Sequence, residues 1–372
     1  MIAVDARIEV GEEELEGALR GHDGPARRNG NRRIVLLAVV SRVFDAAGRV
    51  QASYPMLRLA YSVKTNPDPQ ILKTARGAGL FAEVISPEEL EHARACGFST
   101  EEIIYNGPYP AQYCLHAPGY IFADSVEAFA GAARSFPRSL VGVRVRPPGI
   151  ASRFGVPFDR IDQLCEIIRT AGLRELGVSF HVRPEDFGSY DFRKLSETVL
   201  EYCAALGERS HARITAFDAG GGKRPAELDR EIREGVLESL VSCASMRLPH
   251  IRNVFLEPGQ ALAAPCEAVL ATILEVRRSH ERVTEIVVDA GYPDLPQIRS
   301  FLHRVFILMD GKAHAVRPGA GRVLGSTCLE YDVLCDGVDL DDCAIGGRLA
   351  IADAGAYDAS MSFQFARGSC SS

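Results

Sequence analysis

The chain has 372 residues, enough for two domains, and 47% of them are apolar, enough to fill their cores. Its 42 basic and 49 acidic side chains leave a net charge of −7, which argues against nucleic-acid binding. The longest obvious apolar run, residues 34–40, is far short of the ~20 residues of a membrane span. Residues 1–16 are acidic and lack a signal-peptide pattern, so a soluble, cytoplasmic protein with no membrane partner is expected.

Residues 1–34 carry no clear pattern and are expected to pack on the C-terminal part of the chain. Their basic cluster, residues 27–33, reads as a solvated loop. From residue 57 onward, short apolar runs alternate with longer amphipathic stretches. The predicted strands are 57–63, 82–85, 103–105, 120–123, 140–145, 177–181, 214–218 and 254–257. Between them, residues 69–78, 87–96, 126–135, 160–171 and 192–206 have helical apolar spacing, several of them opening after Pro, Ser or Asp. Eight such units predict an α/β fold, a TIM (β/α)8 barrel over residues 35–262; a doubly wound sheet is the alternative but would use fewer strands. From residue 263 to 372 the texture changes. The runs 268–277, 283–289, 304–308, 322–324, 332–335 and 348–352 are short, often β-branched and separated by Gly, Pro and Asp, which predicts an all-β domain. The ten cysteines form no CxxC pair and no Cys/His set with zinc spacing, so free thiols and no metal site are expected.

In a barrel the chemistry sits at the C-terminal ends of the strands. Those ends carry Lys64, then Glu83 and Ser86, then Asn106, Asp124, Arg144 and Arg146, then His181, then Asp218 with Gly220, Gly221 and Gly222, and last Glu257. A lysine at the end of a buried strand loses solvation, which lowers its pKa and makes its amine a nucleophile; taken alone, a solvent-facing lysine is the ordinary reading. Three glycines let backbone N–H groups approach a phosphate, although alone they equally suit a flexible turn. Glu257 suits pairing with a protonated ring nitrogen, or else a structural salt bridge. His181 suits stacking on a planar ring, or else a hydrogen-bonded core position.

These residues are joined by Tyr61-Ser62-Val63-Lys64-Thr65-Asn66-Pro67, Ser86-Pro87-Glu88-Glu89-Leu90, Ser152-Arg153-Phe154-Gly155, Glu257-Pro258-Gly259, Thr327-Cys328 with Asp332, and Gly355-Ala356-Tyr357. In this order the set resembles the fold-type III pyridoxal 5′-phosphate (PLP) decarboxylases, such as those for ornithine, arginine and diaminopimelate, over residues 35–366. The resemblance implies an alanine-racemase-type barrel followed by a β-domain. It implies that Lys64 carries the cofactor, that His181 stacks on it, and that Gly220, Gly221, Gly222 and the Tyr357 hydroxyl bind its phosphate. It further implies that Glu257 meets the ring nitrogen, that Arg144 lies near the cofactor, and that Cys328 donates a proton. In the family that cysteine reaches the neighbouring subunit's site, so a homodimer with shared active sites is implied.

The departures fall mostly on the substrate side. Glu83 replaces an aspartate, and His181-Val182-Arg183-Pro184 replaces a small serine loop. Gln260 replaces an arginine expected on phosphate or substrate, and Leu329 replaces an acidic residue, with Glu330 one step on. These changes imply a substrate other than simple ornithine, lysine or diaminopimelate: a diamino acid conjugated to a carboxylic acid, as in siderophore biosynthesis. Arg183 and Arg304 are candidates to meet its carboxylates, and Glu330 and Asp332 to complete the substrate side. A free basic amino acid is the second reading. An amino-acid racemase on the same barrel would need an acid/base group opposite Lys64, and a non-catalytic binding homologue would be expected to lack Lys64 or Cys328.

Overall fold

The computed structural model describes residues 7–22, 32–182, 192–279 and 282–365. The chain divides into two compact units, one comprising residues 1–8 and 44–262, the other residues 9–43 together with everything from Ala263 onward.

The first unit is built on eight parallel strands: β1 (Leu57–Ser62), β2 (Phe81–Val84), β3 (Ile103–Tyr105), β4 (Tyr120–Ala123), β5 (Leu140–Arg146), β6 (Glu175–Ser179), β7 (Arg213–Gly221) and β8 (Asn253–Glu257). Each pairs with its successor, and β8 returns to β1 through Val254–Leu57 and Leu256–Leu59, so the sheet closes on itself. This is the predicted barrel. Its interior is packed by Ala60, Ile104, Phe122, Ala216 and Phe255, a plug of side chains rather than a pore. The connecting helices start where the local chemistry directs. Asp68 accepts from the N–H groups of Gln70 and Ile71 with Pro69 at the first turn, and Ser86 and Ser125 cap the helices Pro87–Ala95 and Val126–Ser135.

Two strand boundaries differ from the sequence expectation in ways that matter for the site. β6 stops at Ser179, so His181 stands in the segment beyond the strand. β7 runs on through Gly220 and Gly221, and its register with β8 breaks between Phe255 and Glu257. After β7 the chain forms helices Pro225–Arg233 and Val236–Arg247, and before β1 it forms Leu37–Ala52.

The second unit is a curled sheet of β9 (Glu267–Ser279), β10 (Arg282–Val288), β11 (Val305–Met309), β12 (Lys312–Ala315), β13 (Pro318–Leu324), β14 (Val333–Val338) and β15 (Arg348–Ala352), in the order β12-β11-β15-β9-β10-β13-β14. All its pairs are antiparallel except β10 with β13. The short strand Arg33–Val35 joins it by pairing with β9, and helix Glu12–Leu19 lies against β12. One apolar core, including Val269, Ile286, Leu295, Val323 and Ile351, fills the curl.

Candidate active site

The C-terminal ends of the barrel strands surround a cavity of about 420 Å³, lined by Lys64, Glu83, Asn106, Arg144, His181 and Glu257 and by the loop residues Ile150, Ala151, Ser152, Arg153 and Phe154. Closure of the sheet brings these residues to one place although they are distant in sequence: Asn106 and Glu257, 151 residues apart, are hydrogen-bonded.

Lys64 sits on the single 3-10 turn Val63–Thr65 that follows β1. The Tyr61 hydroxyl donates to the Asn66 carbonyl at 3.0 Å, and Asn66 Oδ1 accepts from the Asp68 N–H at 3.0 Å, so the turn is pinned at both ends. The Lys64 ammonium, still partly exposed, forms a short ion pair with the buried carboxylate of Glu83. Burial raises the pKa of Glu83, and the neighbouring lysine works against that rise.

Glu257 is deeply buried, with Asp218 beside it. Burial first, and the Asp218 charge second, push Glu257 up to about 8, while burial raises Asp218 to about 6. Asn106 Nδ2 donates to Glu257 Oε1 at 2.9 Å, and the Gly220 N–H donates to Asp218 Oδ1 at 2.9 Å. Asp218 Oδ2 is buried with no donor among the described residues. The two acids are therefore held as a pair that retains a proton, or that calls for an outside N–H donor.

The glycines of β7 are dictated by space. A Cβ on Gly221 would lie 2.1 Å from the Glu257 carbonyl oxygen, and one on Gly220, which has φ +71°, would lie 2.6 Å from the Phe180 carbonyl. His181 packs alongside at the cavity wall. Desolvation, reinforced by the charges of Arg144, Lys64 and Lys223, lowers it to about 3, so its imidazole is neutral. Arg144 lies 4.0 Å from Asp124, and both it and Arg153 face the Phe154 ring, at 5.1 and 4.1 Å from its centre.

Of the residues singled out from sequence, Lys64, Arg144, His181 and Glu257 line this cavity, Gly220 abuts His181, Gly221 abuts Glu257, and Gly222 follows them with φ +81°. Sequence reasoning under-used Asn106, Asp218 and Arg153; the signal for Arg153 was the Ser-Arg-Phe-Gly segment that carries it. Arg183 lies outside the described residues. Cys328, Glu330, Asp332, Tyr357 and Arg304 belong to the second unit. Cys328 and Glu330 are exposed on the turn after β13. Asp332 is buried beneath that turn. It accepts from the Tyr292 N–H at 2.7 Å, the Thr327 N–H at 3.0 Å and the Thr327 hydroxyl, so both its oxygens are used in holding the backbone that carries Cys328 rather than offered to a substrate. Arg304 makes a two-pronged ion pair with Asp353, at 2.6 and 2.7 Å, and donates to the Val10 carbonyl at 2.8 Å. Its charge is matched within the second unit, which removes it from the residues expected to meet a substrate carboxylate. Tyr357 adopts φ +67°, an uncommon conformation for a non-glycine residue, next to Asp358, which is buried against His303 at 2.7 Å.

Residues 40–264 match the family described as pyridoxal-dependent decarboxylase, pyridoxal binding domain. The chain belongs to this family. It is 29% identical to diaminopimelate decarboxylase of Deinococcus radiodurans, over 86% of this chain and 83% of that protein. It is 25% identical to ornithine decarboxylase of Schizosaccharomyces pombe, over 86% of this chain and 78% of that one. Among solved structures, lysine decarboxylase of Selenomonas ruminantium superposes with a TM-score of 0.72, covering 95% of this chain and 93% of that chain at 20% identity, which shows the shared fold. The enzyme is thus a PLP-dependent carboxy-lyase. The cavity fits that cofactor chemically. Its lining offers an amine, an uncharged imidazole and the carboxyl of Glu257, and behind that lining lie a glycine strand end with no room for side chains and the buried Asp218.

Proposed function

We propose that this enzyme removes the α-carboxylate of a diamino acid whose far amine is conjugated to a carboxylic acid, with Lys64 as the cofactor-bearing lysine and Cys328 as the proton donor. The observation that carries the reading is the meeting of Lys64, His181, Arg144 and Glu257 around one cavity at the strand ends. When bound, PLP supplies an electron sink for the bond to the departing CO₂.

Each residue has a task of its own. Glu257 holds the proton of the ring nitrogen, and Asn106 fixes the orientation of its carboxyl. Asp218 keeps the pair proton-hungry through its proximity. His181, being neutral, offers a flat face without adding a second positive charge beside Arg144. Glu83 grips the Lys64 amine and can take up or return its proton when the amine is exchanged for that of the substrate. The Cys328 thiol donates a proton to the carbon that has lost its carboxylate. Because the thiol sits on an exposed turn, the reading includes a homodimer in which that turn serves a neighbouring subunit's site.

Support for the substrate class comes from Leu329, which removes a carboxylate beside Cys328, and from the loop face of the cavity. There Arg153 stands with Ile150 and Phe154, an apolar wall with a cation that suits a conjugated acid better than a distal ammonium. A diamino acid acylated by a di- or tricarboxylic acid, which keeps a free carboxylate beyond the amide, as in siderophore assembly, has this chemistry. A free basic amino acid is the second reading, favoured by the substrates in the names of the relatives. The test is an absorbance spectrum before and after borohydride, with Lys64→Ala alongside, followed by CO₂ release from a panel of free and acylated diamino acids. A cofactor band fixed to wild type and missing from the variant, with turnover confined to the conjugates, is the expected result. Efficient turnover of free lysine or ornithine overturns the substrate class, and absence of any band with added PLP overturns the assignment of Lys64.

A further inference from the structure

In the second unit, residues 291–303 run from β10 toward β11 through turns, with no helix or strand of their own. Two buried aspartates grip this stretch. Under the Cys328 turn, Asp332 accepts from the Tyr292 N–H at 2.7 Å and from the Thr327 N–H at 3.0 Å. Further along, Asp358 Oδ1 accepts from the Gln297 N–H at 2.8 Å, and its Oδ2 meets His303 Nε2 at 2.7 Å. The side chains of His303 and Asp358 are 1% and 0% exposed. The second ring nitrogen of His303 decides the protonation of this pair. Nδ1 stands 3.1 Å from the Phe301 carbonyl, which can only accept, so Nδ1 carries a proton. Another proton lies between Nε2 and Asp358 Oδ2, where two bare acceptors would repel. The Gln297 N–H on Oδ1 stabilises Asp358 as a carboxylate and leaves that proton on the nitrogen. His303 is therefore an imidazolium, ion-paired in the interior. Such a pair holds firmly when whole, and loss of one member leaves a buried charge without its partner.

We propose that His303 and Asp358 are positioning residues for the proton-donating thiol: their ion pair fixes residues 291–303 as a strap, and the strap sets where the Cys328 turn stands. Tyr292 is the link. Its N–H binds Asp332, and its ring meets that of Tyr331, on the turn, edge to face at 5.1 Å. A second tie runs alongside, from the Ser326 N–H to the Ala290 carbonyl at 3.1 Å. This role rests on reading Cys328 as the proton donor, and it asks no contact with substrate or cofactor of either His303 or Asp358.

The test compares holoenzyme of wild type, His303→Gln, Asp358→Asn, the double variant and Cys328→Ala. Alkylation of Cys328 by iodoacetamide, read at its peptide by mass spectrometry, reports the order of the turn. Steady-state CO₂ release from the panel of free and acylated diamino acids separates kcat from KM. Histidine ring NMR of wild type, with the His303 signal assigned by its loss in a His303 variant, counts the protons on that ring, and two are expected at pH 7. His303→Gln leaves Asp358 without its cation. It is expected to speed alkylation about tenfold or more and to lower kcat, with KM and cofactor absorbance unchanged. The double variant exchanges the ion pair for two amides and is expected to recover much of both effects, a rescue that general loosening of the fold would not show. Should His303→Gln not fold, Asp358→Asn keeps the shape of the side chain and is expected to shift alkylation and kcat in the same directions. Wild-type alkylation or wild-type kcat in both single variants, or one proton on the His303 ring, overturns the proposal. Wild-type turnover by Cys328→Ala instead overturns the proton-donor reading, and with it the role of the strap in the reaction, even where alkylation responds.

Discussion

The barrel mouth and the turn that carries Cys328 use carboxylates in opposite ways. At the mouth, Glu83, Asp218 and Glu257 are buried close to one another and to charged groups, and burial displaces their protonation from that of free side chains. In the second unit, Asp332 is equally buried, yet three donors meet its two oxygens and its role is to fix a backbone. The residue with chemical potential there, Cys328, is exposed. Burial with unmatched capacity yields reactivity, whereas burial with full hydrogen bonding yields rigidity. Substitutions at the mouth should therefore change protonation and cofactor binding, and those at the turn should change local order.

The largest expected effect is that of Lys64→Ala, which removes the nucleophilic amine and is expected to cut decarboxylation at least about a thousandfold, as loss of a residue central to a concerted site does. Single-turnover CO₂ release measures it, and near-normal rates would dissolve the distinction between the two regions. Next comes Glu257→Gln. In the cofactor-free protein the folded state holds Glu257's proton up to about 8, well above its ordinary value of 4.5. The folded chain thus binds more protons than the unfolded one between those values. The resulting stability is fully present below about pH 4.5 and is lost as pH rises through about 8, a change of a few kcal/mol. The glutamine variant lacks this dependence, so urea unfolding at pH 5 and pH 8 should find wild type losing ground to it; parallel curves would show that Glu257 ionises normally.

A smaller change is expected for Gly221→Ala. The added Cβ would stand 2.1 Å from the Glu257 carbonyl, which forces the β7–β8 backbone apart at a cost of about 1–3 kcal/mol and loosens cofactor binding. Calorimetry with and without PLP sharpens the point, since a loss of stability with intact affinity would place the cradle elsewhere. The smallest is Asp332→Ala, which strands the donors of Tyr292 and Thr327 for roughly 1–3 kcal/mol. It should speed alkylation of the Cys328 thiol while leaving PLP affinity at the barrel unchanged, and a loss of that affinity would break the comparison.

Much of the site was legible because strand ends announce themselves. Buried apolar runs stop, and polar residues follow at Lys64, Glu83, Asn106 and Glu257. The pattern was less informative where a strand passes into its loop. Two glycines in β7 read as a turn although they belong to the strand, because the close approach of the Glu257 backbone, which glycine alone permits, is not a local property. Arg304 looked available to a substrate for the same reason: its partner Asp353 lies 49 residues away on the far side of β15.

The sequence by itself determined the periodicity that makes a closed barrel and then a β-sheet unit, and the residue types at each strand end. Those follow from burial and hydrogen bonding within a few residues of chain. Tertiary structure alone decided which polar groups are matched and which are left with capacity. It set Asn106 on Glu257, Glu83 on Lys64 and Glu231 on Lys223, because such pairings depend on distances in space that no local pattern encodes.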